Sequence, residues 1–229
     1  MSRHAKLIQP CFQPIKDTIT NSRLGYEATI KGRAGESAKV LFDRAMFRGK
    51  ESVHDLDRHA RLLALSEGEQ ILEDSDLLFL NVSSLDTLER EARQFLERGL
   101  AGRLVFEITE HVSIDQEAVR LIEKIHELGF MIAIDDFGKG SANWRSFVEL
   151  PISYLKMDMY FVHQIHRAAS RYVIEKMAEL CLEMDIKLIL EGVETEAQFQ
   201  ELLKLKGRYM QGFYFGRPQF IESNMRVHA

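Results

Sequence analysis

Short apolar runs alternate with longer amphipathic segments along this chain of 229 residues. The short runs are strand-sized, whereas the longer segments repeat apolar residues at helical spacing. The predicted strands are Ile8–Ile15, Leu24–Ile30, Leu77–Val82, Leu104–Thr109, Met131–Asp135, Tyr154–Met157, Lys187–Glu191 and Met210–Phe215. The predicted helices include Val53–Leu72, Ile114–Leu128, Ser170–Met184 and Glu196–Leu205. This alternation favours an α/β barrel of the TIM type.

Local signals predict helix ends and the direction of one strand. Ser113 with Gln116, and Thr195 with Gln198, fit capping boxes, and Gly129 fits a helix end. Only KDTITNSR separates the first two predicted strands, which is too short for a parallel crossover. These strands should form a hairpin. We therefore expect one domain over residues 1–229, a TIM-like (β/α)8 barrel with one antiparallel strand.

Composition and charge argue against a nucleic-acid-binding, secreted or membrane-spanning protein. The formal net charge of −5 argues against a protein that binds duplex nucleic acid. The N-terminal residues lack the apolar core of a signal peptide, and the apolar runs are far shorter than the ~20 residues that span a bilayer. Cys11 and Cys181 lie in apolar contexts without a CxxC motif, as expected of buried thiols in a reducing compartment. We expect a cytoplasmic chain without a membrane segment.

Polar residues recur inside or at the ends of the apolar strands. The acidic ones are Glu27, Glu107, Asp135, Asp136 and Glu191, with Asn81, Lys156, Asp158 and Gln211 in similar positions. In a barrel the carboxyl ends of the strands converge on one mouth, so these carboxylates would repel each other unless cations neutralise them. Each one alone could instead form a structural ion pair. A donor set of carboxylates and amides without a Cys or His cluster suits Mg²⁺ or Mn²⁺ better than zinc.

The same residues resemble the signature motifs of EAL domains. The matching segments are Gln13-Pro14-Ile15, Gly25-Tyr26-Glu27-Ala28, Asn81-Val82-Ser83, Glu107-Ile108-Thr109-Glu110, Asp135-Asp136-Phe137-Gly138-Lys139-Gly140, Lys156-Met157-Asp158, Glu191-Gly192-Val193-Glu194-Thr195, and Gln211-Gly212 with Gly216-Arg217-Pro218. Each motif alone is weak, but their order along most of the chain makes an accidental match improbable. The resemblance implies a stand-alone EAL barrel and a phosphodiesterase that hydrolyses cyclic di-GMP to linear pGpG.

The resemblance also implies roles for individual residues. Glu27, Asn81, Glu107 and Asp135 would hold a first metal ion, and Asp135 and Asp136 a second, with Asp158 nearby. Lys156, with a depressed pKa, or Glu191 would act on the attacking water. Gln13, Lys31 and Gln211 would contact the nucleotide, while Glu110 and Glu194 would support the neighbouring loops. The family implies a homodimer and a sensor or GGDEF partner.

Two departures from the family pattern keep alternatives open. Thr29 and Lys31 stand where the motif has leucine and arginine, and lysine lacks the planar fork of arginine. The loop after Gly138 also differs, with Lys139 where a threonine is usual. One alternative is an inactive EAL domain that serves as a cyclic di-GMP receptor or protein-interaction module. Another, which the ordered motifs oppose, is an unrelated metal-dependent barrel enzyme.

Overall fold

The computed structural model describes residues 8–109, 112–139 and 144–221, and within these ranges eight strands close a barrel in chain order. The strands are β1 (Ile8–Asp17), β2 (Ser22–Gly32), β3 (Leu77–Val82), β4 (Leu104–Ile108), β5 (Met131–Phe137), β6 (Tyr154–Met157), β7 (Lys187–Leu190) and β8 (Tyr209–Gln211). The helices are α1 (Ala38–Arg48), α2 (Lys50–Gly68), α3 (Leu88–Glu97), α4 (Gln116–Glu127), α5 (Trp144–Glu149), α6 (Met159–His163), α7 (Ala168–Glu183) and α8 (Glu196–Lys204). The predicted barrel is confirmed.

Strand β1 runs antiparallel to both of its neighbours, β2 and β8, whereas the other pairs of adjacent strands are parallel. A tight turn joins β1 to β2, and Asn21 takes a left-handed conformation with φ of 54°. Asparagine tolerates this region better than most residues. The hairpin predicted from the short connection is therefore confirmed.

The last strand is shorter and earlier than the sequence predicts, because the chain turns at Gly212. A Cβ atom at Gly212 would lie 2.1 Å from the carbonyl oxygen of Val193, so the backbones meet too closely for any larger residue. The amide of Val193 donates to the carbonyl of Gln211 at 3.0 Å. This close approach fixes the end of β8 against the segment that follows β7.

One of the two predicted capping boxes is present. Thr195 and Gln198 form the reciprocal pair at the start of α8. The box at Ser113 is wrong, because Asp115 caps α4 and accepts from the amides of Glu117 at 3.0 Å and Ala118 at 2.9 Å. An aspartate two residues later in the chain satisfies the free amides of the first turn instead. Gly129 follows α4 with φ of 91°, as predicted for a helix end.

The core lies inside the barrel and between the barrel and its helices. Inside, Phe79 and Tyr154 pack edge to face with centroids 5.2 Å apart, and both are fully buried. Cys11 and Cys181 are buried free thiols, as predicted. None of the described helices is both long enough and apolar enough to cross a membrane.

Candidate functional site

A ring of polar side chains lies one layer above the apolar interior of the barrel. Side chains two positions apart along a strand share a face. The residue two positions after each interior residue therefore also faces inward, one layer nearer the mouth. From β3 to β8 these pairs are Phe79 and Asn81, Val105 and Glu107, Ala133 and Asp135, Tyr154 and Lys156, Ile189 and Glu191, and Tyr209 and Gln211. On β1 the direction is reversed, and Gln13 lies opposite Glu27 of β2.

The ammonium of Lys156 lies at the centre of this ring, where four carboxylates from four other strands or strand ends surround it. Its Nζ atom lies 3.1 Å from Glu27 Oε2, 2.8 Å from Glu107 Oε1, 3.2 Å from Asp135 Oδ1 and 2.9 Å from Glu191 Oε1. The lysine side chain is 1% exposed. The predicted convergence of strand-end acids on one mouth is therefore present, and it is arranged around a cation of the protein itself.

These carboxylates carry more negative charge than one ammonium can balance. Burial raises the pKa of Glu107 well above its usual value, and the nearby charges of Glu27 and Asp135 raise it further against the opposing effect of Lys156. Burial likewise raises the pKa of Asp135, and that of Glu191 to about 8. Such shifts mark a site that lacks positive charge.

Glu27 and Lys156 show the opposite balance of effects. Burial alone would raise the pKa of Glu27, but Lys156 and the amides of Gln211 and Asn81 lower it. Burial alone would lower the pKa of Lys156, but the surrounding carboxylates, Asp135 first, raise it well above its ordinary value. The pKa of Lys156 is thus raised where carboxylates surround its ammonium, whereas the depressed pKa was expected for a lysine that faces two cations, and that expectation stays a prediction.

An irregularity in β5 brings two consecutive aspartates to the mouth. The pairing of β5 with β6 shifts between Ile134 and Phe137, and Asp136 adopts φ of 54°. In a regular strand consecutive side chains would face opposite sides. Here both Asp135 and Asp136 line the same two cavities, and Asp136 pairs with Lys139 at 2.6 Å.

Asp158 follows β6 and serves as the N-cap of α6. Its Oδ1 atom accepts from the amide of Tyr160 at 2.8 Å, and the residue is 7% exposed. One carboxylate oxygen is therefore used by the helix. The residues described as lining the two cavities at the mouth do not include Asp158.

Two adjoining cavities open at the mouth and share Glu27, Asp135 and Asp136. The larger, of about 510 Å³, reaches α1 and α2 and is lined by both apolar and polar residues. The smaller, of about 240 Å³, is lined by Gln13, Gln211 and other residues of the ring. Gln211 Nε2 donates to Glu27 Oε2 at 2.6 Å and lies 3.2 Å from Gln13 Oε1. The two glutamines thus form a polar wall beside the carboxylates.

Three other predicted residues have different positions. Lys31 lies over the ring of Phe220, with Nζ 5.8 Å from the centroid, and is not among the described lining residues of either cavity. Glu194 lines the smaller cavity, and its backbone amide donates to Gln198 at 2.8 Å. Glu110 lies outside the described residues, and so do residues 140–143 of the loop Phe137–Trp144 that it would support.

Sequence reasoning missed a buried ionic network behind Asn81. Arg61 of α2 is 2% exposed and donates from Nε to Glu91 Oε2 at 2.9 Å and from Nη1 to the carbonyl of Asn81 at 3.3 Å. Asp57, one turn earlier, pairs with Arg61 and accepts from the amide of Ser83 at 3.1 Å. The network therefore holds the end of β3. Its sequence signal is two charged residues spaced i,i+4 within an otherwise buried helix face.

The donor set at the mouth fits a hard divalent cation. Among the described residues, no three Asp, Glu, His or Cys side chains form a ready ion-binding group, and the ammonium of Lys156 lies between the carboxylates. The available donors are carboxylate and amide oxygens. Glu107 Oε2 is buried without a hydrogen-bond partner, while its Oε1 atom faces the ammonium of Lys156 at 2.8 Å. An excess of buried carboxylate oxygen is the chemistry that Mg²⁺ and Mn²⁺ accept.

Comparison with known proteins places this site in a family. The model of the EAL domain matches residues 1–218. The biofilm architecture maintenance protein MbaA of Vibrio cholerae is 31% identical over 172 residues, which are 72% of this chain and 22% of MbaA. The probable cyclic di-GMP phosphodiesterase PdeI of Escherichia coli is 30% identical over 234 residues, covering 94% of this chain and 30% of PdeI. The chain thus spans less than a third of these relatives.

Solved structures agree with the family match. The cyclic di-GMP-bound form of a standalone versatile EAL protein from Vibrio cholerae O395 matches with a TM-score of 0.82 at 27% identity, covering 93% of this chain and 92% of that one. A manganese and cyclic di-GMP complex of Klebsiella pneumoniae BlrP1 has the same fold, with a TM-score of 0.82 at 23% identity over 92% of this chain and 56% of that one. With the family motifs on the strands of a closed barrel, this chain belongs to the EAL domain family.

Proposed function

We propose that this chain hydrolyses cyclic di-GMP to linear pGpG in a reaction that depends on Mg²⁺ or Mn²⁺. The observation that carries the proposal is the convergence of Glu27, Glu107, Asp135 and Glu191 on Lys156 at the barrel mouth. Family membership supports the substrate, since relatives are named as cyclic di-GMP phosphodiesterases and a structural neighbour binds this nucleotide.

Residues on neighbouring strands would hold the metal ions. Oxygen donors of Glu27, Asn81, Glu107 and Asp135 would hold the first ion, and Asp135 with Asp136 the second, with Asp158 nearby. The Nδ2 atom of Asn81 lies 3.5 Å from Glu27 Oε1, so these two side chains already adjoin. When bound, two divalent ions would lower the pKa of a water molecule and draw charge from the phosphoryl group.

Glu191 is our candidate for the group that takes the proton from the attacking water. Its carboxylate lines the smaller cavity, is 16% exposed and has a pKa of about 8 because of its burial. A base with a pKa near neutrality suits proton transfer. Lys156 is almost fully enclosed among the carboxylates, and we assign its ammonium to positioning them and to donating a hydrogen bond.

The reaction then needs one water molecule and opens one phosphodiester. The water oxygen attacks phosphorus in line with the departing 3′ oxygen, a P–O bond forms, and the P–O3′ bond breaks. Glu191 accepts the proton of the water, and the departing oxygen takes a proton from solvent. The ring becomes pGpG with a 5′ phosphate. Gln13 and Gln211 would contact the nucleotide, and their place in the lining of the smaller cavity supports this role.

The decisive experiment separates hydrolysis from binding. The purified chain is incubated with cyclic di-GMP and Mn²⁺, and pGpG is followed by chromatography, while affinity is measured in Ca²⁺ or without metal. Product formation that EDTA stops supports the proposal. Tight binding without pGpG at any metal concentration contradicts it and identifies a receptor.

A receptor or protein-interaction module is the second candidate, and one observation favours it. Lys31 lies against Phe220, away from the described lining of both cavities. In the family, an arginine at the position of Lys31 is expected to hold a phosphate of the ligand. In this chain that phosphate would lack a basic partner at this position. Weak grip on the substrate would slow turnover without preventing binding through the other residues.

We also propose that the chain forms a homodimer and acts with a sensor or GGDEF partner. Support for the dimer comes from large apolar side chains exposed on neighbouring helices: Trp144 and Val148 of α5 are 52% and 75% exposed, and Tyr160 of α6 is 53% exposed. Light scattering after size-exclusion chromatography tests the dimer. A monomer at all concentrations would contradict it.

A further inference from the structure

Lys139 is a second cation of this chain that reaches the strand-end carboxylates. Among the described residues, the cavities at the mouth are lined by four basic side chains. Arg61 belongs to the buried network behind β3, and Lys39 pairs within its own helix at 2.9 Å. Lys156 lies at the centre of the four carboxylates. Lys139 differs, because its Nζ atom lies 2.6 Å from Oδ2 of Asp136.

The turn after β5 tethers this ammonium to the aspartate. The amide of Lys139 donates to the carbonyl of Asp136 at 3.1 Å, which closes the turn. Gly138 has φ of 95°, and a Cβ atom there would lie 2.5 Å from the ring of Phe161. Because this ring packs against the turn, the turn holds the backbone of Lys139 close to Asp136.

We propose that Lys139 competes with the second divalent ion for Asp136. The inference rests on the proposed two-ion site. The Oδ2 atom of Asp136 lies 2.6 Å from the ammonium of Lys139 and must give up that contact to bind a metal ion. The displaced ammonium stays close to the bound ion and repels it, because both are positively charged. The first ion would bind at Glu27 and Asn81 and would not need Asp136, so the competition of Lys139 for Asp136 acts on the second ion. The two ions therefore bind in separate steps, and the second is the weaker.

The number of ions and their affinities can be measured without turnover. Mn²⁺ is titrated into the metal-free protein by calorimetry, without nucleotide, for the wild type and for Lys139→Gln. We expect the second step to become roughly fivefold tighter in the variant, the upper end of what an exposed ion pair contributes. The first step should be unchanged. An unchanged or weaker second step in Lys139→Gln overturns the inference.

Lys176 provides a matched control. It pairs with Glu179 at 2.6 Å with the same i,i+3 spacing and a similar exposure, but on α7, away from the mouth. Lys176→Gln should leave both steps unchanged, and an equal gain there would contradict a local effect of Lys139. If two equal steps appear in every protein, competition by Lys139 is refuted while the proposed function stands. If no protein binds Mn²⁺, the proposed function itself fails.

Discussion

Replacing Lys156 with methionine removes the one buried ammonium that four carboxylates share, and it should destabilise the metal-free protein strongly. The four N–O distances lie between 2.8 and 3.2 Å, and the lysine is 1% exposed. Removing one partner of a buried ion pair costs about 3–5 kcal/mol in the free energy of unfolding. For a domain of this size that corresponds to a melting temperature roughly 6–20 °C lower.

The stability lost on replacing Lys156 should depend on pH, and the protonation of the neighbouring carboxylates determines the direction. Without the ammonium, Glu107, Asp135 and Glu191 would bind protons more readily in the folded than in the unfolded chain. Stability then falls as pH rises, because the folded state must release protons that the unfolded state has already lost. The pKa values of these carboxyls are already raised beside Lys156. The difference between variant and wild type should therefore be larger at pH 8 than at pH 5.

Calorimetry or a fluorescence melt in EDTA measures this effect at both pH values. Lys176→Met, which removes an exposed lysine paired with Glu179, should leave the free energy of unfolding nearly unchanged, because solvent screens exposed ion pairs. Mn²⁺ should recover part of the stability that Lys156→Met loses, since a divalent ion supplies the missing charge. A melting temperature of the variant in EDTA at or above that of the wild type would refute the reasoning.

Three further predictions follow from individual contacts. Glu27→Ala should lower the rate of pGpG formation at least about a hundredfold, because even outer-shell partners of metal ligands contribute 10- to 100-fold; undiminished activity would contradict its role. Arg61→Met removes the buried guanidinium that pairs with both Asp57 and Glu91 and should cost about 3–5 kcal/mol in urea unfolding, whereas the exposed Arg93→Met control should cost about 1 kcal/mol or less. Burial raises the pKa of Cys181 to about 12, so this thiol should not react with a disulfide reagent at pH 8 until urea unfolds the chain, and rapid labelling of the native protein would show the thiol to be accessible.

Periodicity and loop length determined much of the fold from the sequence alone. The short connection between Ile15 and Leu24 permits only a hairpin, so the antiparallel direction of β1 followed from chain geometry. The polar residues at strand ends were visible because charged groups in apolar strands are costly. The capping position at Asp115 was missed, since several residues near a helix start can accept from its free amides.

Only the tertiary structure decided how these polar residues meet. Closing the barrel brings carboxylates from β2, β4 and β5 and the end of β7 within 3.2 Å of one ammonium, although Glu27 and Lys156 are 129 residues apart. A shift in strand pairing turns Asp136 toward the mouth, where a regular strand would turn it away. Arg61 of α2 contacts Glu91 of α3 only because the fold brings these two helices together. Sequence periodicity is a local property, whereas charge balance at the mouth depends on distances that only the folded chain defines.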